Sequence, residues 1–131
     1  MRLLLDTHAL LWWLNDDEKL GARTRGLIGD PANDVFVSTV SLWEITVKLR
    51  IGKLDADITE VLGILPEQGF QRLDIADSHL VALAALPIHH RDPFDHLLMA
   101  QAVAEDAHFV SEDQNVPLYG VPFLTCSDPA A

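Results

Sequence analysis

The sequence predicts an α/β fold in which a mostly parallel sheet carries helices on both faces. Three observations favour this class. Short apolar runs typical of buried strands alternate along the chain with longer segments that have helical start and stop signals. Such alternation is typical of βαβ units, whose strands run parallel. Acidic residues follow two of the strand-like runs, which is where parallel α/β sheets place their binding crevices.

The first half of the chain begins with three leucines at 3–5, an apolar run that predicts a buried strand. A β-branched and aromatic run at 34–38 predicts a second strand. A Gly-Asp-Pro sequence at 29–31 breaks one helix, and Gly52 ends another. The predicted elements are a strand at 2–6, helices at 8–14 and 22–28, a strand at 34–38, and a helix capped by Thr39 or Ser41 that ends near Arg50.

The second half continues the alternation. Asp57 can cap a helix that ends near Leu65, and residues 70–73 predict a short strand. Asp77 or Ser78 opens an alanine-rich helix that stops before Pro87. The remaining predicted elements are a helix from Asp92-Pro93 to about Glu105, strands at 108–110 and 121–124, and a frayed tail at 127–131.

Length and composition are those of a soluble globular protein. The chain has 131 residues, of which 49% are hydrophobic and 22% are charged, and we expect one domain over residues 1–131. No apolar stretch approaches the roughly 20 residues that a membrane-spanning helix needs. The single cysteine, Cys126, cannot form an internal disulfide. We therefore expect a cytoplasmic protein without a membrane segment.

The net charge of −11, taken alone, argues against a nucleic-acid partner. Phosphate binding, however, needs a local positive patch rather than a positive total. Lys48, Arg50 and Lys53 fall within six positions, and a bound metal ion would cancel part of the negative charge. Nucleic acid therefore remains a candidate partner.

Carboxylates at the ends of strands predict a metal site. Asp6 ends the first strand, and of the adjacent acids Glu112 and Asp113 we choose Asp113 as the one that follows the strand at 108–110 into the cleft. The carboxyl ends of parallel strands share one edge of the sheet, so these acids converge. Clustered carboxylates repel one another, and Mg²⁺ or Mn²⁺ relieves that repulsion. The alternative for Asp6 is a helix cap, since aspartate is a favoured N-cap residue.

Two further acids lie on predicted helices. Glu44 interrupts the apolar stripe of its helix, either because it faces the interior or because it pairs with Lys48 one turn later. Asp95 shares a helix face with the apolar residues at 98, 99 and 102, whereas Asp92 suits an N-cap followed by proline. We therefore take Asp95 as a ligand and hold Asp92 as an outer or alternate one.

The six histidines do not form a zinc motif. His89 and His90 are adjacent, but neither a His-Glu-x-x-His sequence nor a cysteine pair accompanies them. Oxygen ligands at strand ends suit Mg²⁺ or Mn²⁺ better than zinc. Three other histidines are expected at the polar surface or at helix ends: His8, His79 and His108.

With these residues in place, the chain resembles the PIN-domain ribonucleases, in particular the VapC-type toxins of bacterial toxin–antitoxin pairs. Each matching motif is weak alone, but together they run in order over nearly the whole chain. The motifs are Leu-Leu-Leu-Asp-Thr-His-Ala-Leu-Leu-Trp-Trp at 3–13, Ser-Leu-Trp-Glu-Ile at 41–45 with Gly-Lys-Leu at 52–54, Arg-Asp-Pro-Phe-Asp at 91–95 with Ala-Gln-Ala at 100–102, and Val-Ser-Glu-Asp at 110–113 before Tyr-Gly-Val at 119–121.

The resemblance implies an α/β/α sandwich with a site of three to four acids, here Asp6, Glu44, Asp95 and Asp113. It favours Asp95 over Asp92, because the family places this acid seven residues before the second alanine of an Ala-x-Ala motif, here at 102. It also implies Mg²⁺ or Mn²⁺ as cofactor, RNA as substrate, a cognate antitoxin as partner, and a homodimer.

The activity that we expect is metal-dependent hydrolysis of RNA phosphodiester bonds. Asp6 and Asp95 would be the primary ligands, while Glu44 and Asp113 complete the site or orient the attacking water. Supporting contacts are expected from five other residues: hydrogen bonds from Thr7 and Ser111, and phosphate contacts from Lys48, Arg50 and Arg91. Two alternatives stay open, a phosphatase-type α/β enzyme and a non-catalytic domain whose acids are helix caps and whose tryptophans at 12, 13 and 43 bind a partner.

Overall fold

A sheet of five parallel strands forms the centre of the protein in the computed structural model, which describes residues 1–129. The strands in chain order are β1 (Arg2–Leu5), β2 (Asp34–Ser38), β3 (Gln71–Leu73), β4 (His108–Val110) and β5 (Phe123–Leu124). Their order across the sheet is β3-β2-β1-β4-β5, and every neighbouring pair is parallel. The predicted α/β class with a parallel sheet is confirmed, and β1 lies at its centre.

Six α-helices connect these strands within the described residues. They are α1 (Thr7–Leu14), α2 (Ala22–Gly29), α3 (Thr39–Arg50), α4 (Ile58–Ile64), α5 (Asp77–Ala85) and α6 (Pro93–Ala104), with 3-10 turns at Leu65–Gln68 and Val116–Tyr119. Asp57 caps α4 and Asp92 caps α6, as predicted. No helix within residues 1–129 is long and apolar enough to cross a membrane.

Successive residues of β1 face opposite sides of the sheet, and each side packs on its own helices. Leu3 and Leu5 belong to one core together with residues of α1 and α3, such as Ile45. Leu4 belongs to a second core together with residues of α6, such as Leu98. Each fully buried leucine contributes about 1.5–3 kcal/mol relative to an exposed one. Two cores separated by a sheet give the three layers of an α/β/α sandwich.

The start of α3 differs from the prediction. Ser38, rather than Thr39 or Ser41, caps this helix, because the Ser38 hydroxyl accepts a hydrogen bond from the Val40 amide at 3.0 Å. Ser38 is also the last residue of β2, so the chain passes from strand to helix with no intervening loop. The abrupt turn brings the first residues of α3 to the carboxyl edge of the sheet.

The prediction of a frayed tail at 127–131 is wrong for residues 127–129, the part of the tail that the structure describes. The Ser127 amide and hydroxyl both donate to the Glu112 carboxylate. The Asp128 carboxylate accepts hydrogen bonds from the amides of Ala22 and Arg23 in the first turn of α2. The start of the tail is therefore tied to the fold, and residues 130 and 131 lie outside the described residues.

The expectation of a polar-surface or helix-end position is only half right for His79. It lies in the first turn of α5 but is 1% exposed. Its Nε2 atom lies 2.9 Å from the Glu105 carboxylate, and its Nδ1 atom accepts the Ala76 amide at 2.9 Å. A polar side chain is tolerated in the interior because both ring nitrogens have partners.

Candidate metal centre

Asp6 lies where the central strand passes into α1. Its amide donates to the Val110 carbonyl at 3.0 Å, which holds the residue between β1 and β4. Its Oδ1 atom accepts the Ala9 amide at 2.7 Å, so Asp6 caps α1. The residue is only 4% exposed. The Ala9 amide engages only Oδ1 of the carboxylate, so a capping role does not exclude metal binding, and the two interpretations of Asp6 are compatible.

Glu44 is both buried and paired with Lys48, the two alternatives that the sequence left open. It is 3% exposed on α3, and its carboxylate also forms an ion pair with Lys48 one turn later. The Thr7 hydroxyl donates to Glu44 Oε1 at 2.6 Å. Thr7 follows Asp6 directly, so this hydrogen bond links α3 to the start of α1. Lys48 neutralises Glu44. Of the four predicted acids, Glu44 is the one that pairs with a lysine or arginine within residues 1–129.

Asp92 and Asp95 have different environments, as the sequence predicts. The Asp92 carboxylate accepts the amides of Phe94 and Asp95 and so caps α6. Asp95 lies in the first turn of the helix and is 9% exposed. Its Oδ2 atom lies 3.2 Å from Nε2 of His90. The cap therefore fixes the helix start that places Asp95 near His90 and Asp113.

The adjacent acids after β4 also separate into two roles. The Glu112 carboxylate binds the amides of Cys126 and Ser127, which ties it to the C-terminal segment. Asp113 Oδ1 accepts hydrogen bonds from the Asn115 amide at 2.8 Å and from the Asn115 side chain at 3.0 Å. The Asp113 amide donates to the hydroxyl of buried Ser111. Asp113 is thus held by its own loop.

Acids from three elements converge at the carboxyl edge of the sheet. One ligand atom each from His90, Asp95 and Asp113 lies within 4.8 Å of the other two. Asp6 feels the negative charges of Glu44 and Asp113, and Asp95 feels those of Asp113 and Asp6. Asp6, Asp95 and Asp113 form no ion pair with a lysine or arginine anywhere in residues 1–129.

The excess of negative charge changes the protonation of two of these acids. Burial raises the pKa of Asp6 to about 6, with a further increase from Glu44 and Asp113, while hydrogen bonds from Ser111 and Ala9 oppose the rise. Burial likewise raises the pKa of Asp95 to about 7, with a further increase from Asp92. Carboxylates that resist ionisation and point at one space are the arrangement that a divalent cation stabilises. The donor set, mainly carboxylate oxygen, fits Mg²⁺ or Mn²⁺.

The three predicted phosphate-binding cations have different surroundings. Lys48 is partly buried and is engaged with Glu44. Arg50 and Arg91 are exposed and make no ion pair within residues 1–129. Beside the converging acids opens a cavity of about 300 Å³, which we call the acid cleft. It is lined by Asp6, His8, Trp12, Glu112 and Asp113. Arg91 adjoins the cap of α6, one residue before Asp92.

A comparison with protein families identifies the fold. The family model described as the PIN domain matches residues 3–123 of this chain. The chain belongs to the PIN domain family. The resemblance stated from the sequence motifs is thereby confirmed, and the phosphatase-type alternative has no support from this match. A search of the curated proteins gives no match.

Solved structures share the architecture of this PIN domain at low sequence identity. VapBC2 from Rickettsia felis, bound to a DNA fragment from its promoter, has a TM-score of 0.74 and 16% identity, with 95% of this chain and 98% of that chain covered. FitAcB from Neisseria gonorrhoeae has a TM-score of 0.63 and 20% identity, with 93% and 96% covered. VapBC-5 from Mycobacterium tuberculosis has a TM-score of 0.58 and 20% identity, with 97% and 98% covered.

The sequence of this PIN domain did not predict a role at the site for His90 or Tyr119. The Tyr119 hydroxyl accepts the amides of His89 and His90 at 2.9 and 3.1 Å, so both of its lone pairs are used. Its proton is then available to His90 Nδ1, which lies 2.7 Å away, closer than the His96 ring nitrogen at 3.2 Å. We assign the ring proton of His90 to Nε2 from this network, which makes His90 a donor to Asp95.

The one available signal for His90 was its position five residues before Asp95. The adjacent histidines lack a zinc motif, and that absence gave no reason to assign them to the site. Tyr119 could not be connected to them, because it lies 29 residues away from His90 and meets it only through the fold. A histidine held in one tautomer beside a ligand carboxylate is a common supporting contact at metal sites.

Proposed function

We propose that this PIN domain is an endoribonuclease that hydrolyses RNA phosphodiester bonds with Mg²⁺ or Mn²⁺. The observation that carries the proposal is the convergence of Asp6, Asp95 and Asp113, which form no ion pair with a lysine or arginine within residues 1–129, together with the raised pKa values of Asp6 and Asp95. Unpaired buried carboxylates are costly in a folded protein and are retained where they bind something positive. Family membership supports nuclease chemistry at this edge of the sheet.

Each residue has a defined part in this proposal. Asp6 and Asp95 would hold the ion, and Asp113 and Glu44 would complete the site or orient the attacking water. The bound ion supplies activation of water and neutralisation of charge on the phosphate. His90 donates to Asp95 and keeps that carboxylate oriented, and Thr7 does the same for Glu44. If water attacks phosphorus and the 3′ oxygen leaves, the products carry 3′-hydroxyl and 5′-phosphate ends.

We also propose that the chain is the toxin of a type II toxin–antitoxin pair, with a cognate antitoxin as its partner. Solved relatives include VapBC-5, described as a member of a family of toxin–antitoxin systems, and a toxin–antitoxin complex from Klebsiella pneumoniae. A groove of about 560 Å³ has an apolar floor with Leu11 and Val61 and an acidic rim with Asp55, Asp57 and Glu60. That pairing suits an apolar, basic segment of a partner protein. A homodimer and a cytoplasmic location stay predictions.

The experiment that tests the nuclease is cleavage of a panel of tRNA and ribosomal RNA fragments. Wild-type protein is assayed with Mg²⁺ or Mn²⁺ and with EDTA, beside Asp6→Asn and the matched control Asp74→Asn, which removes an exposed carboxylate from the loop after β3. We expect cleavage that EDTA and Asp6→Asn abolish and that Asp74→Asn leaves intact. Cleavage that survives EDTA would reject the metal mechanism. No cleavage together with no Mn²⁺ binding would favour the non-catalytic, partner-binding alternative.

A further inference from the structure

An aromatic pair forms one wall of the acid cleft. His8 lies in the first turn of α1 and Trp12 one turn later, with ring centroids 5.8 Å apart and planes inclined by 30°. Both side chains line the cavity that also contains Asp6 and Asp113. His8 is exposed and Trp12 is partly buried behind it. The His8 ring therefore has an indole as its neighbour and is itself exposed at the cleft.

A second cavity adjoins the first and has the opposite charge. It measures about 350 Å³, and the side chains that line it include Thr7, His8, Lys48 and Lys53 but no carboxylate. His8 belongs to both cavities. A path therefore leads from the acid cleft, across the His8 ring, to two lysines.

The end of α3 creates this positive end of the path. Gly52 follows the helix with φ of +74°, a conformation that glycine adopts without strain. The Lys53 amide then donates to the Lys48 carbonyl at 2.9 Å, which turns the chain back on the helix and brings the two lysines to one cavity. Lys53 is exposed and makes no ion pair within residues 1–129.

The surrounding charge makes this pair of lysines distinctive. The protein carries a net charge of −11, and the groove beneath α1 and α4 is rimmed by Asp55, Asp57 and Glu60. A polyanion would be repelled from that groove, whereas the second cavity offers the positive charge of Lys53, which has no ion-pair partner within residues 1–129, beside Lys48, whose charge is balanced by Glu44. Aromatic rings beside a cationic groove are the combination that binds single-stranded nucleic acid, because an unpaired base can stack while its phosphate meets the cation.

We propose that His8 stacks an unpaired RNA base next to the cleavage site and that Lys53, with Lys48, binds a neighbouring phosphate. This inference rests on the proposed nuclease function and specifies its substrate as single-stranded RNA or an RNA loop. In a duplex the bases are already stacked and paired, so they are not available to a ring on the protein surface.

The test measures the affinity of full-length protein for a fluorescent single-stranded RNA, in EDTA to prevent cleavage, over a series of salt concentrations. His8→Ala should weaken binding about tenfold and leave the salt slope unchanged, whereas His8→Phe, which keeps a flat ring, should retain most of the affinity. Lys53→Ala should weaken binding and reduce the slope by about 0.7, the value for one lost phosphate contact on a single strand. Arg72→Ala, on edge strand β3, is the matched control and should change neither quantity.

Two further results separate this inference from the proposed function. Wild-type protein should bind the single strand more tightly than a duplex of the same sequence, and His8→Ala should reduce that preference. Equal binding of His8→Ala, Lys53→Ala and wild type would overturn the inference even if the same sample cleaves RNA with Mn²⁺. Undetectable binding of single-stranded RNA by wild type would also overturn it. The predicted binding pattern without any cleavage would instead contradict the proposed nuclease.

Discussion

Two groups of buried polar residues lie on this sheet, and they differ in the balance of charge. At the α5–α6 contact, the Ser38 hydroxyl donates to Gln101, Gln101 contacts His79, and His79 contacts Glu105. Arg2 also pairs with Glu105. At the carboxyl edge, by contrast, Asp6, Asp95 and Asp113 converge without an ion pair to a lysine or arginine within residues 1–129, and repulsion among the acids contributes to the raised pKa values of Asp6 and Asp95.

The comparison separates a structural network from a candidate ligand site. A buried polar network whose donors and acceptors match rigidifies the fold, and it has no need of a further partner. A group of like charges in the interior lowers stability unless something of opposite charge joins it. Burial of polar residues alone therefore does not indicate function, whereas an excess of one charge does. The following predictions test that distinction, in order of decreasing effect.

Asp95→Asn should cause the largest loss. If the acids hold the catalytic ion, this change removes several kcal/mol of transition-state stabilisation, so RNA cleavage should fall by about 1,000-fold or more. The metal-free variant should nevertheless unfold at the same temperature as wild type or higher, because a buried repulsive charge is gone. Cleavage kinetics and thermal unfolding in EDTA measure the two effects. A variant that loses stability along with activity would contradict the proposed origin of the raised pKa of Asp95.

The pH dependence of metal binding follows from the same repulsion. Metal binding requires ionised carboxylates, and the pKa values of Asp6 and Asp95 are raised to about 6 and about 7. Protons therefore compete with the ion at low pH, and Mn²⁺ affinity should fall about 100-fold from about pH 8 to about pH 5.5. Calorimetry in buffers of different ionisation enthalpy should also detect proton release near pH 6.5. An affinity that does not vary over this range would argue against the raised pKa values.

Linkage fixes the sign of the effect on stability. Because the folded-state pKa of each acid lies above its unfolded value of about 3.8, the unfolded chain ionises first as the pH rises. The free energy of unfolding of the metal-free protein should therefore decrease from about pH 4 to about pH 7 on account of these two groups. Saturating Mn²⁺ should oppose that decrease and should stabilise the protein most at about pH 7 and above, because it binds the ionised folded state.

His79→Leu should act on the balanced network instead. The change leaves the Ala76 amide and the Gln101 Nε2 group without their histidine partner, which costs about 2–3 kcal/mol of unfolding free energy. Mn²⁺ affinity of the folded variant should be unchanged. His108→Leu is the matched control, since His108 is only half-buried, and it should shift stability by about 0.5 kcal/mol or less. Chemical denaturation gives both values. A large loss of metal affinity in His79→Leu would show that the two networks are coupled.

His90→Leu should have the smallest effect of the set. The substitution removes the hydrogen bond to Asp95 Oδ2 but no ligand oxygen, so we expect Mn²⁺ affinity to fall about tenfold. His90→Gln keeps an N–H donor and should recover part of the loss. Equal Mn²⁺ affinity in His90→Leu and wild type, measured by calorimetry, would limit His90 to a structural contact with Tyr119.

The sequence was sufficient for the sheet and for the placement of most acids. Alternation of apolar runs and helix signals predicted parallel strands, and parallel strands bring Asp6 and Asp113 to one edge without further information. The helix period placed Asp95 on an inward face, and the cap pattern explained Asp92. These inferences depend on neighbouring residues or on general rules of α/β sheets, so the sequence alone is enough to make them.

Contacts between distant segments could not be predicted from the sequence. The orientation of His90 depends on Tyr119, which approaches it only when the turn after β4 folds over the start of α6. The burial of His79 depends on Gln101 and Glu105 from α6 and the residue after it. The two lysines share a cavity because Gly52 reverses the chain there. Each of these features is a tertiary pairing with no periodic signature.

The most direct test of the central claim is calorimetric titration of Mn²⁺ into wild type, Asp95→Asn and His79→Leu at about pH 8. We expect binding by wild type, no detectable binding by Asp95→Asn, and wild-type affinity for His79→Leu despite its lower stability. Equal binding by Asp95→Asn and wild type, or no binding by wild type, would contradict the assignment of the unbalanced acids as a metal site.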